Sequence, residues 1–222
     1  MQTAALTAFL AANPAIFGTG IAILALLIGS FLNVVILRLP RMMEHTWRRE
    51  AQQLLQSDVS LGGGSGAEAL SLAHPPSTCP KCGHLIRPWE NVPVISYLFL
   101  RGRCAKCREP ISARYPLVEA TTAVLSVVVA LHFGVSWTCA LALLFTWALV
   151  ALTMIDFDHQ LLPDSITLPL LWLGLLVNSF GVLVPLADAV WGAALGYLSL
   201  WSVYWAFRLL TGKEGMGFGD FK

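Results

Sequence analysis

The chain has 222 residues, 56% of them hydrophobic and only 12% charged, with a formal net charge of +1. Apolar residues far outnumber the ionic groups that would cover a soluble surface of this size, so the composition predicts an all-α polytopic membrane protein. The charges are sharply segregated along the chain and leave no basic footprint for nucleic acid.

No charged residue occurs between Met1 and Leu37. A bilayer core about 30 Å thick needs about 20 apolar helical residues, so Ile16 to Leu37 is enough for one span. A signal peptide needs a basic segment before its apolar run and a small-residue cleavage site after it, and neither is present. Residues 1–37 are therefore expected to hold an uncleaved first transmembrane helix.

From Arg38 to Arg114 the character reverses, and this segment carries eleven of the fourteen Lys and Arg residues. The positive-inside rule makes 38–114 a cytoplasmic loop and puts the amino terminus on the far side. Within it Glu44–Gln56 holds good helix formers with Trp47, Ala51, Leu54 and Leu55 roughly on one face, which predicts a short amphipathic helix on lipid or on the loop. The SLGGGSG stretch and the Ser/Ala/Pro run to Ser77 read as a flexible connector.

Residues 115–155 contain Glu119 as their only formal charge and are interrupted at His132, Phe133 and Gly134, which fits two spans joined by an outer turn. Residues 165–207 contain only Asp188 and divide near Pro185 into two more. About five spans result, with 115–222 as the main membrane region and lipid as an obligatory partner. Two complete spans separate Asp156 from Asp220, so both emerge on the cytoplasmic face.

Two constellations carry chemistry. Cys79-Pro80-Lys81-Cys82 and Cys104-Ala105-Lys106-Cys107 are C-x-x-C knuckles able to deliver four thiolates to one tetrahedral Zn²⁺ in a zinc-ribbon-like subdomain. A pair of disulfides is the alternative, and a reducing cytoplasmic setting favours zinc. A closed Cys₄ site leaves no coordination position for water, so the metal is structural. It would hold together RPWENVPVISYLFLRGR, a segment too small to fold on its own core. Cys139, alone in an apolar span, reads as packing.

The second constellation joins MIDFDHQLLPDSIT, with Asp156, Asp158 and Asp164, to Asp220 in GMGFGDFK. Hydrolysis of an amide needs one group to deprotonate water and another to protonate or hydrogen-bond the carbonyl oxygen, and two carboxylates sharing a proton do both. Gly217 and Gly219 allow a close backbone approach just before Asp220. Asp164, between Pro163 and Ser165, reads as a cap of the following helix. Between Asp156 and Asp158 the residues alone do not choose.

Together with Gly29-Ser30-Phe31-Leu32-Asn33-Val34-Val35 leading into Arg38-Leu39-Pro40, these motifs resemble the type 4 prepilin peptidases from Gly29 to Lys222. The resemblance implies a bifunctional leader peptidase and N-methyltransferase of the GxGD aspartic protease class, serving pilus biogenesis and type II secretion from the bacterial inner membrane. It selects Asp156 as the first catalytic residue and Asp220 as the second. It implies prepilin and pseudopilin substrates, cut on the cytoplasmic side after a leader Gly, and methylation of the new amino group from S-adenosylmethionine. Family members continue with further spans after G-x-G-D-x-K, so more apolar sequence is expected beyond Lys222.

No Rossmann-type glycine motif marks a methyl-donor site. The resemblance puts that activity with the cytoplasmic loop, where Glu90, Asn91 and Gly102, in the Arg101-Gly102-Arg103 turn, are the candidates. Their alternative role is to shape the zinc subdomain, as helix packing is for Asn33. A proton pathway or transporter would explain Asp156 and Asp220 but not the zinc loop, and it would need further ionisable residues inside the spans. A noncatalytic secretion scaffold would tolerate loss of either Asp.

Overall fold

The computed structural model describes residues 2–56 and 71–213. Among them there is no strand, only two isolated antiparallel bridges in the cysteine-rich loop. The chain divides into two units, Met1–Val135 and Ser136–Lys222.

The first unit begins with α1 (Gln2–Ala12) and α2 (Pro14–Gln56). Asn13 breaks the helical run between them and turns its side-chain amide back to donate to the Phe9 carbonyl at 2.8 Å. The expected first span and the expected amphipathic helix prove to be one continuous α2. Its 43 residues at 1.5 Å each make a rod of about 65 Å, twice the hydrocarbon thickness. Pro40 lies inside it, where the ring removes one backbone donor and crowds the carbonyl a turn earlier. The helix nevertheless continues, so the proline marks where the apolar span passes into the basic extension rather than ending it.

Antiparallel to α2 runs α4 (Arg114–Phe133), closed by Gly134 at φ 61°, where a break between two spans is expected. The two helices meet through small residues spaced four apart. Thr122, Ser126 and Ala130 of α4 and Ala25 of α2 are fully buried. A Cβ on Gly29 would lie 2.8 Å from the Glu119 Cα. Small side chains permit such an approach, which lipid-exposed helices need because apolar bulk gains nothing by leaving hydrocarbon. Thr122 and Ser126 donate to the Val118 and Thr122 carbonyls, both at 2.7 Å, so their hydroxyls are satisfied within the helix. Asn33 donates to the Tyr115 carbonyl at 3.1 Å, the helix-packing role expected of it.

The second unit holds α5 (Trp137–His159), α6 (Asp164–Ser179) and α7 (Leu186–Thr211). Ser136 caps α5 by accepting from the Cys139 N–H at 3.1 Å. Cys139 is buried, consistent with packing. In α7 only Tyr204 is buried, while Trp191, Leu195 and Leu209 are exposed.

Helices α2, α4, α5 and α7 are long and apolar enough to cross a membrane. The other expected span, α6, has 16 residues, about 24 Å, and falls short of a full crossing by itself. The sequence placed the break after it near Pro185, whereas the helix stops at Ser179 and a turn through Gly181 (φ 67°) leads to α7.

Candidate functional site

The cysteine-rich loop is built from one turn used twice. Thr78 bridges Leu85, and Arg103 bridges Pro110. Within the first turn Cys79 N–H donates to His84 O (2.9 Å), Gly83 N–H to Cys79 O (3.0 Å) and Ile86 N–H to Ser77 O (2.9 Å). Within the second, Cys104 N–H donates to Glu109 O (2.8 Å), Arg108 N–H to Cys104 O (3.1 Å) and Ile111 N–H to Gly102 O (2.7 Å). Each partner is displaced by the same sequence interval, so the two knuckles repeat one hydrogen-bond pattern. Gly83 and Arg108 occupy the same place, at φ 65° and 60°. The first uses the residue suited to that conformation, and the second places a long side chain there at a cost.

Four thiols converge between the knuckles. The Cys79, Cys82, Cys104 and Cys107 sulfurs all lie within 4.8 Å of one another. Cys79 Sγ is 3.7 Å from Cys107 Sγ. Zinc–sulfur bonds near 2.3 Å at tetrahedral angles put sulfurs about 3.8 Å apart, so the donor set fits one Zn²⁺. No disulfide joins the five described cysteines, and Cys79 and Cys107 stand at a non-bonded sulfur distance of 3.7 Å.

The local electrostatics suit a cation. Backbone N–H groups of Cys82 and Lys81 aim at Cys79 and hold its thiol down at about 6, against the opposing effect of burial. Cys104 is lowered in the same way by the Cys107 and Lys106 amides. Cys107 receives a lowering bond from the Glu109 amide, yet burial and the crowded sulfurs of Cys82, Cys104 and Cys79 push it up to about 12. A divalent ion reverses that crowding by binding thiolates. Lys81 reaches across to Glu109 at 2.8 Å and joins the first knuckle to the end of the second.

Between the knuckles, Glu90 accepts from the Arg87 N–H at 3.0 Å and lies 3.1 Å from His84 Nε2. The Arg87 amide, then His84, keeps its carboxyl below the ordinary Glu range. Glu90 thus closes the 3₁₀ turn Pro88–Asn91, the shaping role held open as its alternative. After that turn Val94 adopts φ 58°, a conformation β-branched residues rarely enter. It precedes α3 (Ile95–Phe99), whose Tyr97 covers Gly102. Gly102 has φ 67°, and a Cβ there would meet Tyr97 Oη at 2.8 Å.

A groove of about 610 Å³ opens between the knuckles, the midsection of α2 and the start of α4. Asn33, Glu90, Asn91, Tyr97, Tyr115 and Glu119 are among its lining residues. Of the three methyl-donor candidates, Glu90 and Asn91 face this groove, whereas Gly102 lies behind Tyr97. Arg38 borders it too and fixes the incoming chain by donating to Ser71 O (3.0 Å), Leu72 O (3.2 Å) and Pro75 O (2.7 Å).

Asp156 and Asp158 sit in the last turns of α5 rather than in a loop, and both are exposed. Residues two apart on a helix point about 200° away from each other, so these two carboxylates cannot form the pair between themselves. The Asp156 carbonyl accepts from the Gln160 N–H at 2.8 Å, and Gln160 ends the helix at φ 49°. Asp164 is the first residue of α6, with Pro163 in the capping position. It therefore stands at the positive end of the helix dipole rather than as the cap itself. Asp220, with Gly217 and Gly219, lies outside the described residues.

Residues 23–133 match the model of the bacterial peptidase A24 N-terminal domain, and residues 143–222 match that of the type IV leader peptidase family. The chain belongs to the type IV leader peptidase family. A Stutzerimonas stutzeri protein named prepilin leader peptidase/N-methyltransferase is 57% identical over 96% of this chain and 73% of its own length. Relatives of the same name from Pseudomonas putida and Neisseria gonorrhoeae are 58% and 51% identical, over 96% and 90% of this chain and 73% and 69% of theirs. No solved structure matches the chain. Both motifs lie within the matched residues, while sequence reasoning passed over Glu119 as a residue of the groove. Its signal was present, as the lone charge in a long apolar run.

Proposed function

We propose that this protein is a membrane-embedded aspartic endopeptidase that removes the leader of prepilins and pseudopilins and N-methylates the new terminus. The observation that carries the reading is the 57% identity over 96% of the chain to a relative bearing that name. The four apolar helices long enough to cross a bilayer agree with a membrane enzyme. The basic residues clustered from Arg38 to Arg114 favour an inner-membrane location with this loop in the cytoplasm.

In this reading Asp156 and Asp220 form the hydrolytic pair. One carboxylate takes a proton from the attacking water while its protonated partner hydrogen-bonds the amide oxygen, and the roles exchange as the leaving amine is protonated. Asp156 at the end of α5 is held by a helix anchored through buried Ala151, Leu152 and Ile155.

Cys79, Cys82, Cys104 and Cys107 would hold Zn²⁺ as a fold-stabilising ion with no open coordination position. The groove beside the knuckles has the volume of ordinary small-molecule sites and mixes apolar walls with polar groups, which fits S-adenosylmethionine. Glu90 and Asn91 would lie against it, and Gly102 would act by letting Tyr97 close the wall. When bound, the donor supplies an electrophilic methyl carbon, and the protein's part is to aim a neutral amine at it.

The test is mass spectrometry of a prepilin incubated with membranes containing the protein expressed from its complete coding sequence, with S-adenosylmethionine present. The expected product has lost its leader and gained the mass of one methyl group. Recovery of intact prepilin from folded, zinc-loaded protein would overturn the reading.

A further inference from the structure

Glu119 is the one formally charged residue between Tyr115 and Ile155. It is 7% exposed, and what remains accessible faces the groove. The close contact of Gly29 with its Cα fixes the position of its backbone. Its carboxylate accepts from the Val94 N–H at 2.8 Å and from the Ser30 hydroxyl. An ionised carboxylate offers about four acceptor sites, so two donors leave half its capacity unused. Among the described residues no Lys, Arg or His forms an ion pair with it. Arg38, on the same groove, spends its guanidinium on three carbonyls.

A buried carboxylate held by two neutral donors, with no cation among the described residues, is costly in its charged form and is relieved either by taking up a proton or by a positive group that arrives. The groove it faces is open to ligand and also carries Asn33 and Tyr115. We infer that Glu119 binds the terminal ammonium of the processed substrate peptide in this groove and accepts its proton, making it a catalytic residue of the methyl-transfer reaction. The inference rests on the methyl-transfer half of the proposed function. The step balances simply: one N–H bond of the ammonium breaks, its electron pair stays on nitrogen, and the proton forms an O–H bond on the carboxylate. The resulting lone pair attacks the methyl carbon of the sulfonium donor, whose carbon–sulfur electron pair remains on sulfur. The Val94 and Ser30 donors keep the carboxylate aimed, so the strained backbone at Val94 serves that orientation.

A purely structural role, pinning residues 92–95 to α4, predicts something different, and Glu119→Gln separates the two. The amide oxygen can still accept from the Val94 N–H, so the pin survives while the charge is lost. The experiment uses protein from the complete coding sequence in detergent, with zinc content as the folding control. Three readouts are taken: the methylated fraction of cleaved pilin, binding of a mature-terminus peptide with a free or acetylated amino group, measured without methyl donor, and binding of S-adenosylmethionine against its demethylated product.

The expected result is that wild type binds the free-amine peptide at least tenfold more tightly than the acetylated one. Glu119→Gln should lose that preference and methylate at least tenfold less of the cleaved pilin. Equal binding of the two peptides by wild type would overturn the inference even if the variant fails to fold. So would undiminished methylation by Glu119→Gln. A wild-type preference for S-adenosylmethionine over its neutral product that vanishes in Glu119→Gln, with the peptide preference intact, would also overturn it by assigning the charge to the donor. Failure of wild type to methylate any pilin would instead count against the proposed function, leaving the peptide-binding result to judge Glu119 separately.

Discussion

Gly29 and Glu119 touch backbone to backbone: a Cβ added to Gly29 would stand 2.8 Å from the Glu119 Cα and 3.3 Å from the Thr122 Cβ. Neither atom belongs to a flexible side-chain end, so neither can swing away. Gly29→Val should therefore push α2 from α4 and cost about 1–3 kcal/mol, as overpacking of a well-filled core does. Thermal melts in detergent read the loss. Because Ser30 and Asn33 move with α2, the groove should widen, and methylation should fall more than leader cleavage.

Gly102→Lys should damage methylation more than cleavage. Its φ of 67° alone costs a side-chain-bearing residue about 1–2 kcal/mol, and the new Cβ would displace the Tyr97 ring from the groove wall. Mass spectrometry of processed pilin reads both activities at once. The sharper comparison is with Tyr97→Ala, which removes the obstructing ring. If Tyr97 is the link, Tyr97→Ala should lower methylation by itself, and adding Gly102→Lys should lower it little further.

Removing the metal should unfold the loop and spare the helices. Cys79→Ser with Cys82→Ser deletes half the donor set, and a subdomain with as few buried residues as this one, Cys79 and Cys104 among them, has little else to hold it. Zinc at one ion per chain in wild type and none in the double variant is the expected metal analysis. Limited proteolysis should then cut between Pro88 and Arg103.

The tandem turns make a paired prediction. Arg108→Gly places glycine where its counterpart Gly83 already sits, at φ 60°, and should stabilise the zinc-bound loop by up to about 1 kcal/mol. Gly83→Arg should do the reverse. Resistance of zinc to a chelator measures both.

How much of this was legible beforehand differs from element to element. The apolar runs announced their helices because lipid enforces backbone satisfaction within each segment. The cysteine knuckles were visible because ligand spacing is local, and even their tandem nature was readable in the matching Cys-Pro-Lys-Cys and Cys-Ala-Lys-Cys. Pro40 hid the continuity of α2, since local preference says a helix breaks there, yet it runs through. The short α6 was hidden by apolar composition that carries on past Ser179 into the turn. The groove was not legible at all. It exists because Glu119 meets a backbone amide from 25 residues away, and no periodicity encodes that pairing. Asp156 was named by family resemblance, and its place on the opposite side of α5 from Asp158 became clear only once α5 was seen to continue to His159.

The most direct test of the peptidase account is the rate of prepilin cleavage by four single variants, Asp156→Asn, Asp158→Asn, Asp164→Asn and Asp220→Asn. A shared-proton pair needs both members, so Asp156→Asn and Asp220→Asn should each abolish cleavage. Asp158, turned about 200° away on the same helix, and Asp164, at the start of α6, should leave a measurable fraction of the rate. Full cleavage by zinc-loaded Asp156→Asn would contradict the assignment and return the choice to the other carboxylates of the acidic motif.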